Sequence, residues 1–203
     1  MRYRNLLIYT AAAWSGFFVM GIELLGGRIL SPFFGNSIFV WGGIIAVFMT
    51  CLSIGYLAGG QLSLHRPSMT RLGALLIGGA LLAIPIIGVG DILLESLSYR
   101  VPDPRYGSLL GSLLLFGTPT ILAGTISPYA IRLLISDLNR SGRSAGVLYF
   151  VSTVGSAAGT ILSSFYLVLY LEVNTIILCL ILTSLATGTI LIVTDRLARK
   201  QTT

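Results

Sequence analysis

Charge is scarce in this chain. Only 10% of its 203 residues are Asp, Glu, Lys or Arg, and seven of them are acidic; a soluble domain carries roughly 25%. An ordinary water-soluble fold is thereby excluded. No polar block is long enough to fold separately, so residues 1–203 read as a single embedded domain. Histidine occurs once, as His65, and cysteine twice, with Cys51 and Cys179 both inside apolar runs. They read as small packing residues, with no disulfide framework, metal centre or cofactor to be expected. The formal charge of +6 would suggest nucleic acid in a soluble protein. Here the basic residues cap apolar runs, so they report orientation in a bilayer, and nucleic-acid binding is not expected.

A membrane span needs about 20 mostly apolar residues. By that measure there are six: 6–29, 38–60, 71–90, 108–134, 146–171 and 173–193. The first could be mistaken for a signal peptide, but it is longer than an h-region of about 7–15 residues and has no convincing small-residue cleavage site. The expected fold class is all-α, a polytopic bundle of six transmembrane helices. Lys and Arg fall at the N-terminus (Arg2, Arg4), in the second and fourth connections (Arg66, Arg71, Arg132, Arg140, Arg143) and at the C-terminus (Arg196, Arg199, Lys200). Only Arg100 and Arg105 fall on the other side. The positive-inside rule then predicts both termini in the cytoplasm, in a bacterial-type inner membrane. His65 reads as a cytoplasmic-face residue. The sizeable outer connection, 91–107, contains Val101-Pro102-Asp103-Pro104, which predicts an interruption between helices; its first part, 91–97, is expected to lie flat on the membrane as a lid or partner surface.

Against this apolar background, Glu23 and Arg28 stand out within GIELLGGRILSPFFG (21–35). A charge at the centre of a membrane helix costs about 2.5–3.5 kcal/mol on insertion scales, so an acid kept there usually faces a partner, a cavity or water. At helical spacing Gly16, Met20, Glu23 and Gly27 share one face, which a neighbouring helix can approach closely. Three roles are open to Glu23: a buried structural hydrogen bond, proton or cation handling, and simple exposure at the outer interface. Arg28 is five residues on, not an ideal intrahelical partner, and its long stem suits either a site or an interfacial anchor.

The fourth span holds Pro119 and Pro128, which free the carbonyls of Leu115 and Gly124. Hydroxyls of Thr118, Thr120, Thr125, Ser127 and Tyr129 lie nearby in sequence. Such a segment is either a broken helix of the kind from which transporters build sites, or a merely kinked one. Gly55 and Gly59, and again Gly155 and Gly159, are GxxxG pairs that read as helix-packing surfaces. The octets 53–60 and 153–160 match at these glycines, and 23–30 can be laid on 127–134. Together these pairings describe an inverted 3+3 repeat.

The run GIELLGGRILSPFFGNSIFVWGGIIAVFMTCLSIGYLAGGQL, then TISPYAIRLL and VSTVGSAAGTI, resembles the membrane domain found ahead of bacterial spermidine synthase-like (aminopropyltransferase) domains. Matched positions are Glu23, Arg28, Pro32, Gly35, Gly55, Gly59, Pro128, Arg132, Gly155 and Gly159. The resemblance implies the fold and an association with polyamines. The catalytic domain of that family would follow the last helix; the sequence ends at Thr203 without one, so no enzyme activity is expected. The stretch Gly55-Tyr56-Leu57-Ala58-Gly59 running to His65-Arg66 more loosely resembles the loop between helices 2 and 3 of a major facilitator half-unit, without the acidic residue that loop normally carries. The expected function is a membrane transporter or binding module for a small cationic solute, with Glu23, Arg28 and the helix 4 hydroxyls as its site. The alternative is a non-catalytic anchor or assembly subunit for a separate enzyme. Beyond the lipid bilayer, the partners expected are a second copy in a homodimer or a separate protein.

Overall fold

Hydrocarbon offers no partners to backbone N–H and C=O groups, and a chain this apolar satisfies them within helices. A computed structural model describes residues 2–64, 66–135 and 141–200. It consists of α1 (Arg2–Phe34), α2 (Ile38–Leu62), α3 (Met69–Arg100), α4 (Pro104–Leu134), α5 (Ser141–Tyr170) and α6 (Val173–Lys200). All six are long and apolar enough to cross a membrane. No strand occurs among the described residues. His65 and Arg140 lie outside them.

The helices exceed the apolar runs that announce them, and one expected loop is absent. Residues 91–100 continue α3 to Arg100 instead of forming a separate surface segment. Leu94 within them is fully buried. The connection shrinks to residues 101–103 because Asp103 caps α4, its Oδ1 accepting from the Arg105 N–H at 2.9 Å, with Pro104 as the first helical residue. Proline suits that position because its missing N–H would have had no intrahelical partner. Phe34, ending α1, lies where a side chain on Gly107 would fall, so the 35–37 and 101–103 connections share one end of the bundle. At the other end Asp195 of α6 accepts from Thr70 of α3, at 2.6 Å from its hydroxyl and 3.2 Å from its N–H.

Of the two readings of the fourth span the broken helix, with breaks at Pro119 and Pro128, is corrected: α4 runs continuously from Pro104 to Leu134 through both prolines. Nearby carbonyls take side-chain donors instead. The Thr125 hydroxyl donates to Leu122 O at 2.6 Å, and the Ser15 hydroxyl of α1 donates to Ala123 O at 3.1 Å. The irregular segment is in α5, where residues Leu162–Leu167 are π-helical.

Packing follows the glycines. α2 lies mainly on α4, α5 on α1, and α3 on α6 and α4, whereas among the described residues α2 and α5 make at most a marginal contact. Gly55 and Gly59 bring α2 onto the Ile121 and Thr125 carbonyls of α4; Gly155 and Gly159 bring α5 onto the Ala13 and Phe17 carbonyls of α1. A side chain at any of the four would strike backbone, the condition under which small residues let helices touch. The contacts correspond pairwise. Gly124 faces the Leu52 carbonyl in one seam as Gly16 faces the Ser152 carbonyl in the other. This correspondence sets Gly16, not Met20, against Gly124, one helical turn away from the alignment of 23–30 with 127–134.

Candidate functional site

Hydroxyls are common on the helices, and most are silenced locally. Thr10, Ser53, Thr160, Thr183, Thr187, Thr189 and Thr194 each donate to the carbonyl four residues earlier. A hydroxyl closed back in this way asks nothing of lipid or solute. Groups without such closure mark the places where the bundle is equipped to meet something else.

The first is Glu23. Its side chain is half-buried and makes no hydrogen bond or ion pair with any described residue. Glu23 is five residues from the middle of α1, about 8 Å along the axis at 1.5 Å per residue, a depth that a hydrocarbon core of roughly 30 Å centred on the helix would include. One turn before it, Met20 lines a small cavity; one turn after it, Gly27 lines a larger one. Glu23 thus lies between residues of the two cavities along α1 and lines neither of them.

The inner cavity, of about 160 Å³, lies near the middle of the bundle. Four helices build it: α1 with Ser15, Gly16, Val19 and Met20, α2 with Leu52 and Tyr56, α4 with Ala123, Gly124 and Ser127, and α5 with Ser152 and Ser156. Its walls obey the correspondence seen in the packing. Ser15, Gly16 and Val19 answer to Ala123, Gly124 and Ser127, and Leu52 and Tyr56 to Ser152 and Ser156. The cavity lies where the two seams meet.

The outer cavity, of about 370 Å³, lies at the end where α1 turns into α2. Leu24, Leu25, Gly27, Arg28 and Ser31 of α1, Asn36, Trp41 of α2, and Ser163, Ser164 and Val168 of α5 line it. Arg28 is exposed and has no hydrogen bond or ion pair with a described residue. Trp41 donates its indole N–H to Asn36 Oδ1 at 2.8 Å.

The expected site residues are thus not gathered into one place. Ser127 lines the inner cavity, Arg28 the outer one and Glu23 neither. Thr118 is exposed, and Thr120 is buried without lining either cavity. Thr125 spends its hydroxyl on Leu122. Tyr129 is buried toward the opposite end, where its hydroxyl accepts from the Ser68 N–H at 3.1 Å. Of the cysteines, Cys51 packs inside as expected, whereas Cys179 is exposed on α6. Residues that the sequence suggests for packing and not for the site are Ser152, Ser156, Ser163 and Tyr56. Serine at 152, 156 and 163 is visible there only as a small-residue row.

No group of His, Cys, Asp and Glu among the described residues is placed to hold a metal ion. Compared with known proteins, the chain matches no family model, no curated protein and no solved structure. The fold defines a class, the multi-pass helical membrane protein.

Proposed function

We propose that this protein carries, or holds within the membrane, a small organic cation of polyamine type. Glu23 is the carboxylate that meets the cation. One observation carries the reading: an acidic side chain within a membrane helix, with no partner among the described residues, falls one turn from a residue of each of two cavities, although it lines neither. An unpaired carboxylate is costly in hydrocarbon, and a solute ammonium or a proton removes that cost. The inner cavity supplies hydroxyls of Ser127, Ser152, Ser156 and Tyr56 to an amine that has left water. Arg28 sits at the outer opening.

The paired contacts support two three-helix halves related by a twofold axis in the membrane plane. In that reading α1 corresponds to α4 and α2 to α5, with α3 and α6 meeting across the axis. The inner cavity then lies on the axis, the position at which carriers built of inverted repeats hold their solutes. The resemblance of residues 21–35 to spermidine synthase-like membrane domains agrees with an amine ligand. The proposed setting is a bacterial-type cytoplasmic membrane with both termini inside.

Purified protein in liposomes is expected to take up labelled spermidine, and Glu23→Gln to abolish that uptake. Uptake unchanged in Glu23→Gln would remove the carboxylate from the mechanism.

A second reading, an anchor or assembly subunit, is favoured by α5. Only 17% of its most apolar stretch is buried, against 61% in α4. A second copy or another membrane protein seated on Phe150, Phe165 and Tyr166 fits that face. Copurification of a stable partner, together with full tolerance of Glu23→Gln, would decide for it.

A further inference from the structure

Ser163 differs from the other hydroxyls of α5. Thr160 and Ser164 donate to the carbonyls of Ser156 and Thr160, but the Ser163 Oγ is fully buried and has no hydrogen-bond partner. It belongs to the π-helical segment 162–167 and forms part of the floor of the outer cavity. π-Helical turns recur at functional sites because they re-aim side chains that a regular helix would direct elsewhere. A buried hydroxyl without a partner costs about 1–3 kcal/mol; the Oγ has no accessible surface as it stands, so a ligand in the bordering cavity supplies the missing bond after rotation about the serine χ1.

The rest of the cavity fixes the ligand's chemistry. Arg28 brings a guanidinium with no protein acceptor, and Ser31 a second hydroxyl. Asn36 has its carbonyl oxygen engaged by Trp41, which leaves its NH₂ group as the available donor. No acidic side chain lines the cavity. A planar cationic fork, two hydroxyls and an amide donor together match an anion with several acceptor oxygens. Leu24 and Val168 form apolar wall beside these donors, and about 370 Å³ exceeds the needs of a bare ion.

We infer that the outer cavity between α1, α2 and α5 binds a phosphoryl anion through Arg28, Ser31, Asn36 and Ser163. The phosphoryl group comes either from a phospholipid headgroup or from free phosphate. This inference does not rest on the carrier reading, because Glu23 takes no part in it.

Native mass spectrometry of detergent-purified protein, offered phosphatidylglycerol, phosphatidylcholine or diacylglycerol, provides the test. Both phospholipids are expected to bind and diacylglycerol, which lacks the phosphoryl group, is not. Arg28→Gln is expected to weaken binding about tenfold, the scale of one charge-assisted hydrogen bond. Ser163→Ala should weaken it a few-fold, and Arg28→Lys less than Arg28→Gln. If millimolar inorganic phosphate displaces the lipid and raises the melting temperature, free phosphate is the source; if it does neither, the headgroup is. Equal binding of diacylglycerol would overturn the inference, as would full retention in both Arg28→Gln and Ser163→Ala. Should Arg28→Gln fail to fold, the diacylglycerol comparison and Ser163→Ala decide.

Discussion

Gly73 of α3 and Gly188 of α6 lie each against the carbonyl oxygen of the other, so that a methyl group on either would meet the opposite backbone. The contact is reciprocal, as it must be if a twofold axis passes between these two helices. It also fixes how closely they approach, since backbone has no rotamer with which to withdraw.

Gly73→Ala and Gly188→Ala are each expected to destabilise the protein by about 1–3 kcal/mol, the usual cost of overpacking. The double variant should cost less than the sum, because one outward shift relieves both clashes. Gly42→Ala and Gly60→Ala have nothing within 4 Å of the added carbon, and should stay within about 0.5 kcal/mol of the parent. Equilibrium unfolding in mixed detergent micelles measures all five.

Neutralising Glu23 is expected to stabilise the unliganded protein while removing uptake. Glu23→Gln keeps the shape and a polar end but deletes a charge that no described residue compensates. Substitutions that relieve functional cost typically return about 0.5–2 kcal/mol. A higher melting temperature together with lost spermidine uptake is the expected pair of results. A lower one would show that the carboxylate has a structural bond in the membrane.

Orientation is tested by labelling the turns. Pro67 and Pro102 are exposed, Pro67 between α2 and α3 and Pro102 between α3 and α4. In a background lacking Cys51 and Cys179, a cysteine replacing Pro102 is expected to react with an impermeant maleimide in intact cells. One replacing Pro67 should react only after permeabilisation. The reverse pattern would invert the topology inferred from Lys and Arg.

The six helices were legible because length and hydropathy alone decide a membrane span. Their ends were not. Asp103 followed by Pro104 is a helix-start signal that reads equally as an interruption, and residues 91–97 read as a surface segment although helices extend well beyond the hydrocarbon. Glu23 was legible for the same reason that it is costly: a charge among apolar residues is visible. Ser163 was not, since a hydroxyl in an apolar helix is usually closed back on its own backbone, and only coordinates reveal that this one is not. The alignment of 23–30 with 127–134 differs by one turn from the pairing of the glycine contacts for a related reason. Glycines and serines recurring every three or four residues align nearly as well after a shift of four.

That α2 lies on α4 and α5 on α1 has a consequence for biogenesis. When the first three helices have entered the bilayer, the Gly55–Gly59 seam still has no counterpart, and it acquires one only once α4 emerges from the ribosome. Neither triplet is a self-sufficient folding unit, and the order of synthesis obliges the early helices to wait, incompletely packed, for the late ones.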